Sequence, residues 1–467
     1  MLDQALKAVV ISALRPTPDF SGLPVLRSCN GREIHKLLRW LDQSGLALYL
    51  YSRLEAQEAV GLVPVEFSQA LERRQDANRT RALDMLGEFD RLVRALATHS
   101  VRFCALKGFT LIPDFCPAPG LRHQTDFDFL VAPQSTEHAR QALHSCGYKQ
   151  EGNLQNGELT FATPLRHVPS PSDDIYALPR HREVDLRMSL QHDLHGVSIA
   201  MPGDYLDRVQ NKRLQGVIFP SLPADDMFSQ QVMHAFRHLL GSWVRLSWLL
   251  EIGRFIEVHR DNPDLWHSIR SRVGDNSIAR NAFGLIIYLT NMLFPRPIPC
   301  RLEEWCLQPL PGRIKAWVHQ FGFKAAVSDL DGGKVTLFVH REFVEDPVSW
   351  NSYLKRRIFP VGGRSSIGRV TNARPRVRIR ATVSQWLRSM SRATFHLREL
   401  ASLAVDAIQW KRSLRSIEER RALASNASDD VAHRHGHLED ADLVAASLPA
   451  PEEGSLNEVP FVQRFSR

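Results

Sequence analysis

Hydrophobic positions spaced three and four apart dominate the first hundred residues. Ile34, Leu37, Leu38 and Leu41 form one such stripe, and Ala82, Leu86, Phe89, Val93 and Leu96 form another. This spacing predicts amphipathic helices, and neither stretch holds a proline. From about Arg102 the period changes. Residues 101–106 read as a short strand broken at Lys107 and Gly108, and residues 127–131 as a second strand closed by Pro133. Residues 135–146 predict a helix with Ser135 or Thr136 as its cap and Gly147 as its stop. Extended stretches begin at Phe161 and run again over 183–188. Helix returns after Pro223, over 227–236, 243–256 and 278–293, and another amphipathic helix is expected over 383–424.

The order of these elements predicts an α+β fold, a small mixed β-sheet core flanked by N- and C-terminal helical regions. The expected divisions are a helical region at 1–100, the core at 101–215, a helical domain at 216–345, a basic arm with its amphipathic helix at 346–424, and a disordered acidic tail at 425–467. No repeat of solenoid length interrupts this plan.

Composition narrows the class. A chain of 467 residues with 43% hydrophobic positions can bury a sizeable core, which excludes a wholly disordered or fibrous protein. The six cysteines are scattered and form no CxxC pair, which argues against a disulfide scaffold, a zinc ribbon or a thioredoxin-type redox site. The N-terminal apolar run 8–14 is short, follows Asp3 and ends at Arg15 and Pro16, unlike a signal peptide. The run 282–294 is broken by Thr290 and Asn291 and falls short of the ~20 residues a membrane span needs. A cytoplasmic protein that is not integral to a membrane is the expectation.

The formal net charge of +8 is regional. Twelve lysines and arginines and no acidic residue lie between Pro347 and Arg398, so the rest of the chain is net acidic. Such a stretch suits nucleic acid, acidic lipid or an acidic partner, and equally a solvated arm.

The candidate chemistry sits in the core. Side chains alternate faces along a strand, so Asp126 and Asp128 share one side while Phe127, Phe129 and Val131 share the other. Two carboxylates forced together repel and raise each other's pKa unless a cation lies between them, and Mg²⁺ takes carboxylate and phosphate oxygens together. In the later segment Glu183-Val184-Asp185-Leu186-Arg187, Asp185 points away from the core with Glu183 and Arg187. A third carboxylate beside an Asp-x-Asp pair is what two metal ions need for phosphoryl or nucleotidyl transfer.

These motifs resemble the nucleotidyltransferase superfamily with the DNA polymerase β-type fold. They are similar, more narrowly, to the bacterial family known as uncharacterised nucleotidyltransferase. The resemblance rests on Leu106-Lys107-Gly108, Gly120-Leu121-Arg122, the strand from Asp126 to Val131, Gly147-Tyr148 and Val184-Asp185-Leu186, and extends over about residues 30–320. It implies that Asp126, Asp128 and Asp185 ligate Mg²⁺ or Mn²⁺, with Asp185 helping to activate an acceptor hydroxyl. It also implies that Lys107 and the Gly108 backbone hold the triphosphate of an NTP. Arg122 either contacts a phosphate or locks Asp126 in place. Two departures stand out. Lys107-Gly108 replaces the superfamily's Gly-Ser turn, and Arg187 stands where the narrower family often has histidine.

The implied activity is transfer of a nucleoside monophosphate from an NTP to an acceptor, with pyrophosphate released. A small molecule, a glycan precursor, a peptide and an RNA end all remain open as acceptors. The alternative is a catalytically inactive module that binds nucleic acid or an anionic surface through its 347–398 segment. Other motifs carry less. His234 and His238 have helical metal-pair spacing but lack the glutamate of a zinc-protease motif, so packing or an acceptor contact is expected there. His433, His435 and His437 lie in the expected tail. The segment 362–366 lacks a P-loop ending, and Trp386, Leu387, Met390 and Leu397 form an apolar face among arginines.

Overall fold

A computed structural model describes residues 4–155, 157–164, 175–178, 182–190, 192–194, 196–328, 333–358, 390, 394 and 397–419. The chain divides into two compact units, Met1–Ser413 and Leu414–Arg467. Of the second, residues 414–419 are described and are helical. The basic stretch 359–389, Trp386, Leu387, segment 362–366, the three tail histidines and the expected tail itself lie outside the described residues.

Helices open the first unit: α1 (Gln4–Ala13), α2 (Gly31–Ser44), α3 (Ala47–Ala56) and the long α4 (Val65–Thr98). The ends of α2 follow from sequence. Asn30 accepts from the Glu33 N–H while Glu33 reaches back to the Asn30 N–H, and Gly45 closes the helix at φ +75°, a conformation glycine adopts without steric cost.

The sheet then assembles from strands β1 (Phe103–Leu106), β2 (Asp126–Val131), β3 (Lys149–Gln155), β4 (Glu158–Ala162) and β5 (Glu183–Arg187). Helix α5 (Thr136–Ser145) lies between β2 and β3. A separate hairpin, β6 (His192–Leu194) with β7 (Val197–Ile199), leads to β8 (Gln210–Leu214) and β9 (Val217–Ser221). The seven-stranded order is β3-β4-β5-β2-β1-β9-β8. It is mixed: β2 runs antiparallel to β1 and parallel to β5, and β1 runs parallel to β9.

The sheet is larger than its sequence suggests. Strands β8 and β9 meet through Gln215 and Gly216 at φ +47° and +89°, the two-residue turn with both φ positive that suits a hairpin. Residues 135–146 form the expected helix, but Ser135 does not cap it. Its hydroxyl accepts from the Arg102 N–H at 3.3 Å, and a tight turn over Pro133–Ser135 precedes Thr136.

One face of the sheet is the core. Phe89 of α4 stacks on Phe129 with ring centroids 5.9 Å apart and meets Phe109, Phe127 and Phe219 at 5.0–6.0 Å. Val184, Leu186 and Phe161 complete this layer without solvent exposure. The apolar alternation thus pins α4 against the sheet and turns the intervening positions outward.

The C-terminal helices follow as α6 (Ala224–Leu240), α7 (Leu246–Val258), α8 (Pro263–Val273) and α9 (Ser277–Leu293). Buried Asp225 and Asp226 at the start of α6 take Arg208 at 2.7 and 2.6 Å, and Arg272 of α8 holds Asp226 at 2.9 Å. These pairs fix the sheet's far end to the helical layer. Among the described residues no helix is long and apolar enough to cross a membrane, and all six cysteines are free.

Candidate functional site on the polar face of the sheet

The parallel register between β2 and β5 sets Asp128 directly beside Asp185 and Asp126 beside Glu183. Adjacent strands lie ~4.8 Å apart, so alternation and register together gather these carboxylates on the face opposite the phenylalanines. Strand β4 adds Thr160 beside Asp185 and Glu158 beside Arg187. The Thr160 hydroxyl donates to Asp185 at 2.8 Å.

Charge on this face is crowded. Burial, and then the neighbouring Asp128, raise the Asp126 carboxyl. Burial pushes Asp185 up to about 7, helped by repulsion from Glu158 and Asp128 and opposed by the Thr160 hydrogen bond. Asp128, 5% exposed, is neutralised by two cations. Lys107 Nζ donates to its Oδ1 at 2.8 Å and Arg187 Nε donates to the same oxygen at 3.3 Å. Arg187 also pairs with Glu158 at 3.1 Å.

Lys107 reaches Asp128 because the chain is bent sharply as β1 ends. Lys107 has φ +51° and Gly108 φ +48°. The first is a rare conformation for a side-chain-bearing residue, costing of order 1–3 kcal/mol. Both the N–H and the hydroxyl of Thr110 donate to the Lys107 carbonyl, at 2.9 and 2.7 Å, and hold the bend. A Cβ on Gly108 would lie 2.7 Å from the Gln124 amide, and that amide donates to the Asp126 carbonyl at 2.9 Å. The glycine therefore lets the turn close over the base of β2.

Arg122 is turned toward the helical layer. Its Nε donates to Glu251 of α7 at 3.2 Å, and the Tyr49 hydroxyl donates to the same carboxylate at 2.9 Å. Glu251 is 2% exposed, so Arg122 satisfies a buried charge. It still lies near enough to Asp126 to favour that carboxylate's charged form.

Beside the carboxylates a cleft opens between the sheet and α6, lined by Lys107, Thr110, Arg187, Gln231, His234 and Arg237 among others. Among the described residues no carboxylate lines it. His234 packs on Trp248 at 4.4 Å and on His238 at 4.6 Å, while His238 packs on Trp243 at 5.6 Å. The pair is thus part of an aromatic cluster. Burial holds His238 down at about 4, with Arg237, Lys107 and Arg187 adding to the effect. Burial likewise holds His234 well below the usual histidine range. The cations on its walls, Lys107, Arg187 and Arg237, favour an anion in this cleft.

The residues on this face suit a hard divalent cation in their chemistry. They offer several carboxylate oxygens, and on two of them, Asp126 and Asp185, burial disfavours the charge that a cation would favour. Among the described residues, however, no three His, Cys, Asp or Glu side chains already converge as a metal cage. Lys107 and Arg187 provide the neutralising charge on Asp128.

The chain belongs to the family described as uncharacterised nucleotidyltransferase, which matches residues 30–295. A search of curated proteins finds no match. The matched span runs from the capping residue of α2 to just past α9, and so takes in the whole sheet and the helices that complete the cleft.

The structure brings Asp126, Asp128, Asp185, Lys107 and Gly108 together and directs Arg122 to Glu251. Sequence reasoning missed Glu158, Thr160, Glu251 and Arg237. The first two had a usable signal, since Glu158-Leu159-Thr160-Phe161 alternates like β2 and β5.

Proposed function

We propose that this protein is a divalent-metal-dependent nucleotidyltransferase that moves a nucleoside monophosphate from an NTP to a hydroxyl of its acceptor. The observation that carries the reading is the β2–β5 register, which sets Asp185 beside Asp128 and leaves Asp126 on the same face, at the edge of a cationic cleft. Asp126, Asp128 and Asp185 would hold Mg²⁺ or Mn²⁺, which supplies charge neutralisation to the phosphates when bound.

The chain's own residues divide the remaining work. The acceptor oxygen attacks the α-phosphorus, its proton passes to a carboxylate, and the bond to the β-phosphate breaks to release pyrophosphate. Asp185 suits the proton acceptor by its place, beside Asp128 on the same face and held by the Thr160 hydroxyl. Lys107 and the Gly108 N–H would meet the charge developing on pyrophosphate, with Arg187 and Arg237 on the adjoining walls. Arg122 acts as a positioning residue, tying the start of β2 to Glu251.

Pyrophosphate release tests the reading. Purified protein is given each of the four NTPs with Mg²⁺ or Mn²⁺ and a cell extract as the acceptor source, beside an Asp126→Asn control. Release that needs metal and Asp126 and favours one NTP is the expected result. Absence of release, together with no metal- and NTP-dependent thermal shift, overturns it.

A further inference from the structure

A second pocket, open to solvent, shares no lining residue with the cleft beside Lys107. Three arginines from separate elements converge on it: Arg53 in the last turn of α3, Arg254 on α7, and Arg296 just beyond α9. Glu257, half exposed, is the one carboxylate on its walls among the described residues and pairs with Arg296. Among the described residues Arg53 and Arg254 have no carboxylate partner.

Arg296 is held out of water, while Arg53 and Arg254 are half-buried. The Arg296 side chain is 6% exposed, and the Nε groups of Arg254 and Arg296 are buried without an acceptor. Burial, followed by the fields of Arg53 and Arg254, pulls Arg296 down to about 10. Gly253 makes room for it, since a Cβ there would stand 3.1 Å from the Arg296 Nε. Buried donors without acceptors and like charges without counter-charge are both costly. An anion occupying the cavity relieves both at once. Guanidinium forks match phosphate oxygens in pairs. The opposite walls are apolar, formed by Leu14, Phe115 and Leu250, all buried.

We propose that this cavity is a binding site for a small organic phosphate, with the phosphoryl group on Arg53, Arg254 and Arg296 and the apolar portion against Phe115 and Leu250. The site shares no residue with the carboxylate face, although Tyr49 on its wall donates to the Glu251 that holds Arg122.

Calorimetric titration with phenyl phosphate, at fixed ionic strength maintained with chloride, tests it in the full-length chain. One equivalent should bind saturably, survive Lys107→Gln, and weaken at least tenfold in Arg254→Gln and in the more accessible Arg53→Gln. The ligand-free melting temperature of Arg254→Gln should not fall below that of wild type, because the substitution removes repulsion. Binding lost in Lys107→Gln but untouched by both arginine variants overturns the proposal by placing phosphate only in the first cleft. The absence of saturable binding to wild type at millimolar phenyl phosphate overturns it as well. Loss in one variant set and not the other therefore separates failure of this site from failure of the catalytic reading.

Discussion

The two faces of β2 are built from alternate residues of one hexapeptide, yet they face opposite physical demands. Phe127, Phe129 and Val131 enter a layer in which ring meets ring and nothing polar is left over. Asp126 and Asp128 enter a layer where burial and the neighbouring carboxylate raise the Asp126 carboxyl and two cations crowd one oxygen of Asp128. The apolar face holds the strand in register; the polar face holds charges that the strand alone would push apart. Stability and chemistry are thus separable by position parity, and each can be broken without the other.

The largest separation should come from Asp185→Asn. Removing the proposed proton acceptor should cut turnover by about 10²–10⁴-fold, read as pyrophosphate release, while the melting temperature stays within a few degrees of wild type. Phe129→Ala should do the reverse. Truncating a fully buried ring should cost about 3–5 kcal/mol of unfolding free energy in chemical denaturation. Intact turnover per folded molecule is expected in that variant.

Gly108→Ala sits at the junction between the faces. A methyl at φ +48°, against the Gln124 amide, should cost about 1–2 kcal/mol. It should also raise KM for NTP, which steady-state kinetics reads directly. A further effect is a matter of pH. His238 is held at about 4 in the folded protein, against 6.5 ordinarily. Between pH 6.5 and 4 the unfolded chain therefore binds a proton that the native chain refuses, and stability falls as pH falls. The slope from this one group is about 1.4 kcal/mol per pH unit. The difference between wild type and His238→Gln cancels the other titrating groups, so the variant should lose less stability on acidification.

What was legible in the sequence was what is local. Strand β2 showed its faces by alternation, β5 repeated that pattern, and Lys107-Gly108 announced a break where both residues take positive φ. Register between strands is not local. That Thr160 donates to Asp185, or that Glu158 pairs with Arg187, depends on how β4 folds back on β5. Arg122 and Glu251 stand 129 positions apart, and neither carries a mark of the other. The arginine cavity is the extreme case. Arg53, Arg254 and Arg296 each read as an ordinary helical or loop arginine, and only the packing of α3, α7 and the end of α9 brings them together. The β8–β9 hairpin had a signal in Gln215-Gly216 between two extended runs, but a glutamine in a positive-φ position is too uncommon to advertise a turn.

The most direct test of the separation between the faces is Asp128→Asn, followed at once by thermal unfolding and by NTP-dependent pyrophosphate release. The account predicts a folded protein whose melting temperature is near that of wild type and whose metal-dependent release is lost. Release at the wild-type rate from a folded Asp128→Asn protein would contradict it, because the carboxylate at the centre of the polar face would then have no part in the chemistry.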